Sequence, residues 1–348
     1  MEIVAERKQR LSGIELLRIV SMLMVLGVHI DGASLGLPEK PGTDVFSDSR
    51  AAWQLAVESA CIVGVNCFTL ISGYFGIRLS ARGVVSFLGQ CLFYGIVIYI
   101  FGVCAGLTVF SPDGLVRSCQ VLSRTDLWYV PAYFALMLLS PFLNAGADLI
   151  GRRRFMVVYG GFVLFNLWCG WGFGAGFNPT GYTVVQLVMM YLTGRCIRMY
   201  MPLFRPSCKW VPPMCYAVFT SGVFLSSLWL DSRTAFAYNS PLVVASSVSL
   251  FLCFRQMTFV SRPVNKLASS AFAVYLIHKN PVVWSNLLKP ECMAMWNSCG
   301  LLSFSLWSAG ICAGMFALAF LSECVRRLLG RVIVFCYDAA ACRRKGVE

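Results

Sequence analysis

Stretches of about twenty mostly apolar residues, separated by short polar connectors, recur along the whole chain. A helix needs roughly 20 apolar residues to cross the hydrocarbon core of a bilayer, so each stretch predicts a membrane-spanning helix. The pattern therefore predicts an all-α polytopic integral membrane protein with about ten transmembrane helices in one bundle. The ten stretches are 13–30, 51–75, 84–110, 127–147, 155–174, 181–200, 210–230, 239–257, 267–288 and 301–322.

Composition agrees with a membrane protein. Of the 348 residues, 58% are hydrophobic and only 13% are charged, whereas soluble domains carry roughly 25% charged residues. No connector between the apolar stretches is long enough for a second domain. We therefore expect a single membrane domain over 1–348, with its core at 11–325 and a short basic cytosolic tail at 326–348.

Basic residues are distributed unevenly between the two sets of connectors. With the N-terminus in the cytosol, the inside segments hold about three times as many Lys and Arg residues as the outside segments. This asymmetry predicts that both termini are cytosolic, and an even number of helices agrees. The net charge of +13 is then mainly a topology signal. The apolar stretches make the lipid bilayer a partner, and we expect no nucleic acid, because its binding would require a basic face on a soluble surface.

The first apolar stretch contains three ionisable residues, Glu15, Arg18 and His29. Ionisable groups in a membrane helix are costly and usually face the bundle interior, where they mark function. At 100° per residue the three side chains lie within about 60° of one another, on one face of the helix. Glu15 and Arg18 are also correctly spaced to pair. An interfacial anchor is the simpler interpretation of this stripe, and a functional site is the alternative.

The chain has only two histidines, and the second, His278, lies at a similar predicted depth to His29. Two imidazoles at one level suggest a reaction centre, since His exchanges protons near neutral pH. Glu58 is a candidate to orient an imidazole, or else a polar contact between helices. Trp128 and Tyr129 are candidates to stack on a sugar, or else part of an interfacial aromatic belt. The scattered cysteines match no zinc spacing, so we expect no metal site.

Five local sequences together resemble acyltransferase family three, whose members are membrane-bound acyltransferases that modify bacterial surface glycans and similar acceptors. They occur in the family's order from about residue 11 to 281. They are Gly13–Val20 continuing to His29, Cys67–Phe75 with its Ile-Ser-Gly-Tyr segment, Leu127–Tyr133 followed by Leu139–Pro141, Tyr191–Arg195, and Ser269–His278 ending in Tyr-Leu-Ile-His.

The resemblance implies transfer of an acyl group, usually acetyl, from cytosolic acyl-coenzyme A to a hydroxyl of a glycan or lipid-linked glycan at a bacterial inner membrane. It assigns the essential histidine to His29 and the family's acidic and basic pair to Glu15 and Arg18. Acyl-coenzyme A is then a donor substrate, and no permanently bound cofactor is expected. His29 would act as general base or carry the acyl group briefly.

The donor's phosphates need cations. Arg78 and Arg82, in a predicted cytosolic segment, are candidates, and we group them with His278, Glu58, Trp128 and Tyr129 as substrate-binding residues. The alternative function for the same polar stripe is a glycan or lipid transporter or flippase. Transporters usually show internal repeats, and none is visible in this sequence.

Overall fold

The computed structural model describes residues 11–173, 176–201 and 209–345, with side chains up to residue 331. Regular structure within these ranges is entirely helical, with no β-strand. The basic residues that precede residue 11, residue 174 of the fifth apolar stretch, Arg205 and the last three residues of the C-terminal tail lie outside the described ranges.

Every predicted apolar stretch contains at least one helix. The α-helices are α1 (Ser12–Val28), α2 (Ser49–Cys61), α3 (Gly64–Phe75), α4 (Ala81–Cys104), α5 (Pro112–Cys119), α6 (Tyr129–Leu149), α7 (Arg152–Phe165), α8 (Val184–Tyr200), α9 (Val211–Ser227), α10 (Ser232–Ala235), α11 (Pro241–Arg255), α12 (Arg262–Ala268), α13 (Ala271–His278), α14 (Pro281–Val283), α15 (Lys289–Ser298) and α16 (Leu301–Lys345). Three π-helical segments continue α1, α7 and α14: His29–Ala33, Asn166–Gly172 and Trp284–Leu288. Short 3₁₀ turns lie at Gly42–Ser47 and Thr125–Leu127.

Within the described residues, six helical segments are long and apolar enough to cross a membrane, so the expected count of ten is not confirmed. The other stretches form shorter pieces. The α8 and α9 helices have 17 residues each and α11 has 15, and stretch 267–288 is broken into several helices. A run of hydropathy does not reveal where a helix begins, ends or breaks, so the stretches overestimate the lengths of these helices. The six are Ser12–Ala33, Ser49–Phe75, Ala81–Cys104, Tyr129–Leu149, Arg152–Gly172 and Leu301–Arg331.

The first helix is the centre of the bundle. It packs against α2, α3, α11, α12, α13 and α16, and its residues contribute to both of the larger buried apolar clusters. A stripe of polar groups on α1 is therefore bordered by helices on several sides. This placement brings residues from distant parts of the sequence to the His29 end of α1.

Two glycines fix the approach of α3 to α8. A Cβ added at Gly73 would overlap the main chain of Tyr191, and one added at Gly194 would overlap the carbonyl of Leu70. Only glycine permits backbones to approach so closely, as at other small-residue crossings in membranes. The segments that resemble the family around Gly73 and Gly194 thus meet at one helix crossing.

The second histidine lies at the end of a short buried helix. Asn280 has an extended ψ of 130° and precedes Pro281, the first residue of α14. Its side-chain oxygen accepts a hydrogen bond from the N–H of Val282. Residues before a proline are disfavoured in the α conformation, so α13 ends at His278. Every residue of α13 except Phe272 is buried, which holds the His278 ring rigidly against α1.

Candidate active site

The two histidines of the chain are in direct contact, although 249 residues separate them. His29 Nδ1 lies 2.8 Å from His278 Nε2, and the ring centroids are 5.0 Å apart. The edge of the Trp284 ring lies against His29, with centroids 5.8 Å apart. His278 is completely buried. His29 and His278, which the sequence predicts to lie at similar depth, thus form a hydrogen-bonded pair.

The hydrogen bonds determine which nitrogen of His29 is basic. His278 Nδ1 lies 2.7 Å from the carbonyl oxygen of Val274, and a carbonyl only accepts, so this nitrogen carries the proton. With both rings neutral, His278 Nε2 is then an acceptor, and His29 Nδ1–H is the donor to it. The remaining nitrogen, His29 Nε2, therefore holds a lone pair. Orienting a base through its other ring nitrogen is a common feature of catalytic imidazoles.

A π-helical turn begins at His29, and two buried acidic residues lie in it or against it. π-turns inside α-helices are rare and frequently occur at functional sites. Asp31, in this turn, is completely buried, and neither of its carboxylate oxygens forms a hydrogen bond with a described residue. Glu58 Oε2 lies close to Gly32 and is also without a partner among the described side chains. Burying such groups is costly, which indicates a role beyond stability.

Two cavities meet at His29. The first, which we call the aromatic cavity, has a volume of about 250 Å³ and extends along α1 from Arg18 to His29. Its other walls are largely aromatic and apolar, including Phe68, Phe87, Tyr133 and Phe272. The second, the charged cavity, has a volume of about 600 Å³ and begins at His29 on the other side. Its walls include Glu58, Asp126, Arg233 and Lys279.

Three side chains line both cavities: His29, Trp128 and Tyr275. Trp128 packs against Tyr182 and Tyr238, with centroids 4.9 and 5.9 Å away. Together these rings form a wall between the cavities at the level of His29. The structure therefore places Trp128 at the junction, while Tyr129 lines only the aromatic cavity.

The acidic and basic pair of α1 is formed, but it is more exposed than a buried pair would be. Arg18 Nε lies 3.6 Å from Glu15 Oε2, and the side chains are 37% and 13% exposed. Arg18 also lines the aromatic cavity at the end remote from His29. Eleven residues of helix separate them, about 16 Å along the axis. The stripe expected on α1 is thus the floor of the aromatic cavity.

The two arginines proposed for the donor phosphates lie elsewhere. Arg78 and Arg82 are both exposed, in the connector after α3 and in the first turn of α4. Neither lines the aromatic or the charged cavity. The structure therefore brings Arg18, His29, Glu58, Trp128 and Tyr129 to the two cavities, holds His278 against His29 and leaves Arg78 and Arg82 at the surface.

Several residues of the site were not singled out from the sequence. Asp31 follows His29 by two residues, and Tyr275 precedes His278 by three, on the same side of α13. The signal in the sequence that could have found them is that each is a polar residue within one helical turn of a histidine. Lys279, within the apolar stretch 267–288, was not singled out either, and its ammonium lies 4.4 Å from the centroid of Trp284.

With this geometry established, comparison with known proteins identifies the family. The model of an acyltransferase domain matches residues 11–324, nearly the whole chain. The protein therefore belongs to acyltransferase family 3 and is a membrane acyltransferase. No curated protein and no solved structure matched the chain.

Proposed function

We propose that this protein transfers an acyl group, typically acetyl, from acyl-coenzyme A to a hydroxyl of a glycan or lipid-linked glycan. The observation that carries the proposal is the position of His29, at the junction of two cavities, with its Nε2 lone pair fixed by His278. The thioester arm of the donor occupies the aromatic cavity. The acceptor occupies the charged cavity, where polar groups are available to its hydroxyls.

The chemistry needs one base. His29 Nε2 removes the proton from the acceptor hydroxyl as its oxygen attacks the thioester carbonyl carbon. The tetrahedral intermediate then collapses, the carbon–sulfur bond breaks, and the proton passes from His29 Nε2 to the thiolate of coenzyme A. Transfer through an acyl-histidine uses the same nitrogen as nucleophile. In both routes His278 orients His29 and does not itself contact the reacting carbon.

The walls of each cavity suit these occupants. Apolar and aromatic side chains around the aromatic cavity exclude water, which protects a thioester from hydrolysis. Arg18 at its far end offers a cation toward the phosphate-bearing part of the donor. The wall of Trp128, Tyr182 and Tyr238 provides flat apolar faces against which a sugar ring packs. Further phosphate contacts are assigned to Arg78 and Arg82 at the surface.

The proposed reaction also has a direction across the membrane. The excess of basic residues in alternate connectors supports a cytosolic location for both termini in a bacterial inner membrane. We propose that the shorter apolar helices complete ten crossings together with the six long segments. The Arg18 end of the aromatic cavity then opens toward the cytosol, and the charged cavity opens toward the opposite side.

The test uses sealed inside-out membrane vesicles from a bacterial host that expresses the protein. Radiolabelled acetyl-coenzyme A is added outside, and label is measured in extracted glycans and glycolipids together with released coenzyme A. We expect label with the wild-type protein and a loss of about 10²–10⁴-fold with His29→Ala at equal abundance. A transporter would release no coenzyme A in either case, and that result would overturn the proposal.

A further inference from the structure

One polar group at the cavity junction has no part in the reaction described so far. Tyr275 is only 6% exposed, yet its hydroxyl forms no hydrogen bond with any described residue. A buried hydroxyl without a partner typically costs about 1–3 kcal/mol. Because Tyr275 lines both cavities, the side chain that carries this unused donor borders the region where the two substrates meet.

The hydroxyl is not alone in that region. The main chain of Tyr129 lies close to it. Tyr129 begins α6, and Trp128 at the N-cap supplies no capping side chain. The first N–H groups of a helix have no intrahelical acceptor, and the helix dipole favours negative charge at this end. Tyr275 and the main-chain N–H groups of Tyr129 and Val130 therefore form a group of donors at the start of α6, where the third residue, Pro131, has no N–H.

The position of these donors relative to His29 is suitable for catalysis. The Tyr275 ring packs edge-on against His278, with centroids 5.9 Å apart, and His278 in turn contacts His29. Tyr275 also packs against Tyr129, again at 5.9 Å. Base and donors are therefore held by one set of packed rings, and both border the junction of the cavities.

We propose that the Tyr275 hydroxyl and the first main-chain N–H groups of α6 form the oxyanion hole of the transferase. The inference rests on the proposed function. As the acceptor oxygen bonds to the thioester carbon, the carbonyl oxygen gains a negative charge and accepts hydrogen bonds from these donors. The proton stays on Tyr275 throughout. When the intermediate collapses, the charge leaves with the thiolate of coenzyme A, which takes its proton from His29.

The experiment compares purified wild-type protein with Tyr275→Phe in steady-state kinetics and thermal unfolding. Loss of one oxyanion donor typically lowers kcat by about 10²–10³-fold. Because the α6 N–H groups remain, we expect a loss near the lower value, about 10²-fold. KM should change little, because the bonds strengthen only in the transition state. The unfolding midpoint should not fall, because the removed hydroxyl has no partner in the free protein.

A matched control is Tyr216→Phe. The Tyr216 hydroxyl donates to the Ala60 carbonyl at 2.8 Å, and Tyr216 lines neither cavity. Its loss should lower stability slightly and leave kcat unchanged.

An unchanged kcat in Tyr275→Phe, a change confined to KM, or a clear loss of stability would each overturn the oxyanion hole. The proposed function would survive all three results. Absence of transfer by the wild-type protein would instead remove the proposed function and the inference with it.

Discussion

The hydrogen bond between the two histidines makes a graded prediction for position 278. Phenylalanine there fills similar space but accepts no hydrogen bond, so His29 Nδ1–H would lose its acceptor. Glutamine carries a carbonyl oxygen at about the reach of His278 Nε2 and retains an acceptor. If His278 only orients His29, then His278→Gln should be much more active than His278→Phe, and both should exceed His29→Ala.

The size of the effect follows from the burial of the pair. His278 is completely buried and the bond is 2.8 Å long, so the orphaned His29 N–H costs about 1–3 kcal/mol unless the ring turns away from its productive orientation. At 1.36 kcal/mol for each factor of ten, this corresponds to about a 5- to 160-fold loss in kcat. Loss of the base itself should cost about 10²–10⁴-fold.

The assay is acyl transfer by membranes that contain equal amounts of each variant, with thermal unfolding in detergent to detect misfolding. Wild-type activity in His278→Phe would show that the bond does not orient the base. Equal inactivity of His278→Phe, His278→Gln and His29→Ala, in proteins of normal stability, would show that His278 has a direct chemical role.

Three further predictions concern the fold. Gly73→Ala should lower stability by about 1–3 kcal/mol in thermal unfolding, because its Cβ would overlap α8, whereas Gly146→Ala, with nothing within 4 Å, should not. A double-mutant cycle of Glu15→Gln with Arg18→Met should give a coupling of about 0.2–1 kcal/mol, and simple additivity would deny the contact. A reporter active only outside the cytosol, fused after residue 348, should give no signal, whereas a strong signal would refute cytosolic termini.

Helical periodicity predicted the local part of the site well. The three ionisable residues of α1 share a face because a single regular helix connects them, and the structure places Arg18 and His29 at opposite ends of one cavity. The same reasoning did not single out Asp31. Two residues correspond to about 200° in an α-helix, which directs Asp31 away from the face of His29, and Asp31 lines neither cavity.

Contacts between residues far apart in the sequence could be predicted only from the resemblance to the family and from the scarcity of histidine. Nothing in the local sequence specifies that His29 meets His278, and the rarity of histidine in an apolar chain was the signal that linked them. The break before α13 and the stop at Pro281, which hold His278 in place, are invisible in a hydropathy profile because the residues on both sides are apolar. Such a break applies to one of the four stretches that lack a long span among the described residues, whereas α8, α9 and α11 are continuous but short.

Two of the unpaired polar groups of this protein lie at the cavity that begins at His29. One oxygen of Glu58 and the Tyr275 hydroxyl lack partners among the described residues, and both residues line the charged cavity together with His29. Each such group opposes folding, so packing alone does not account for its presence beside this cavity. Local violations of folding rules are expected where function requires them. A site that must bind a hydroxyl and stabilise a transient oxyanion needs donors and acceptors that the free protein leaves unused.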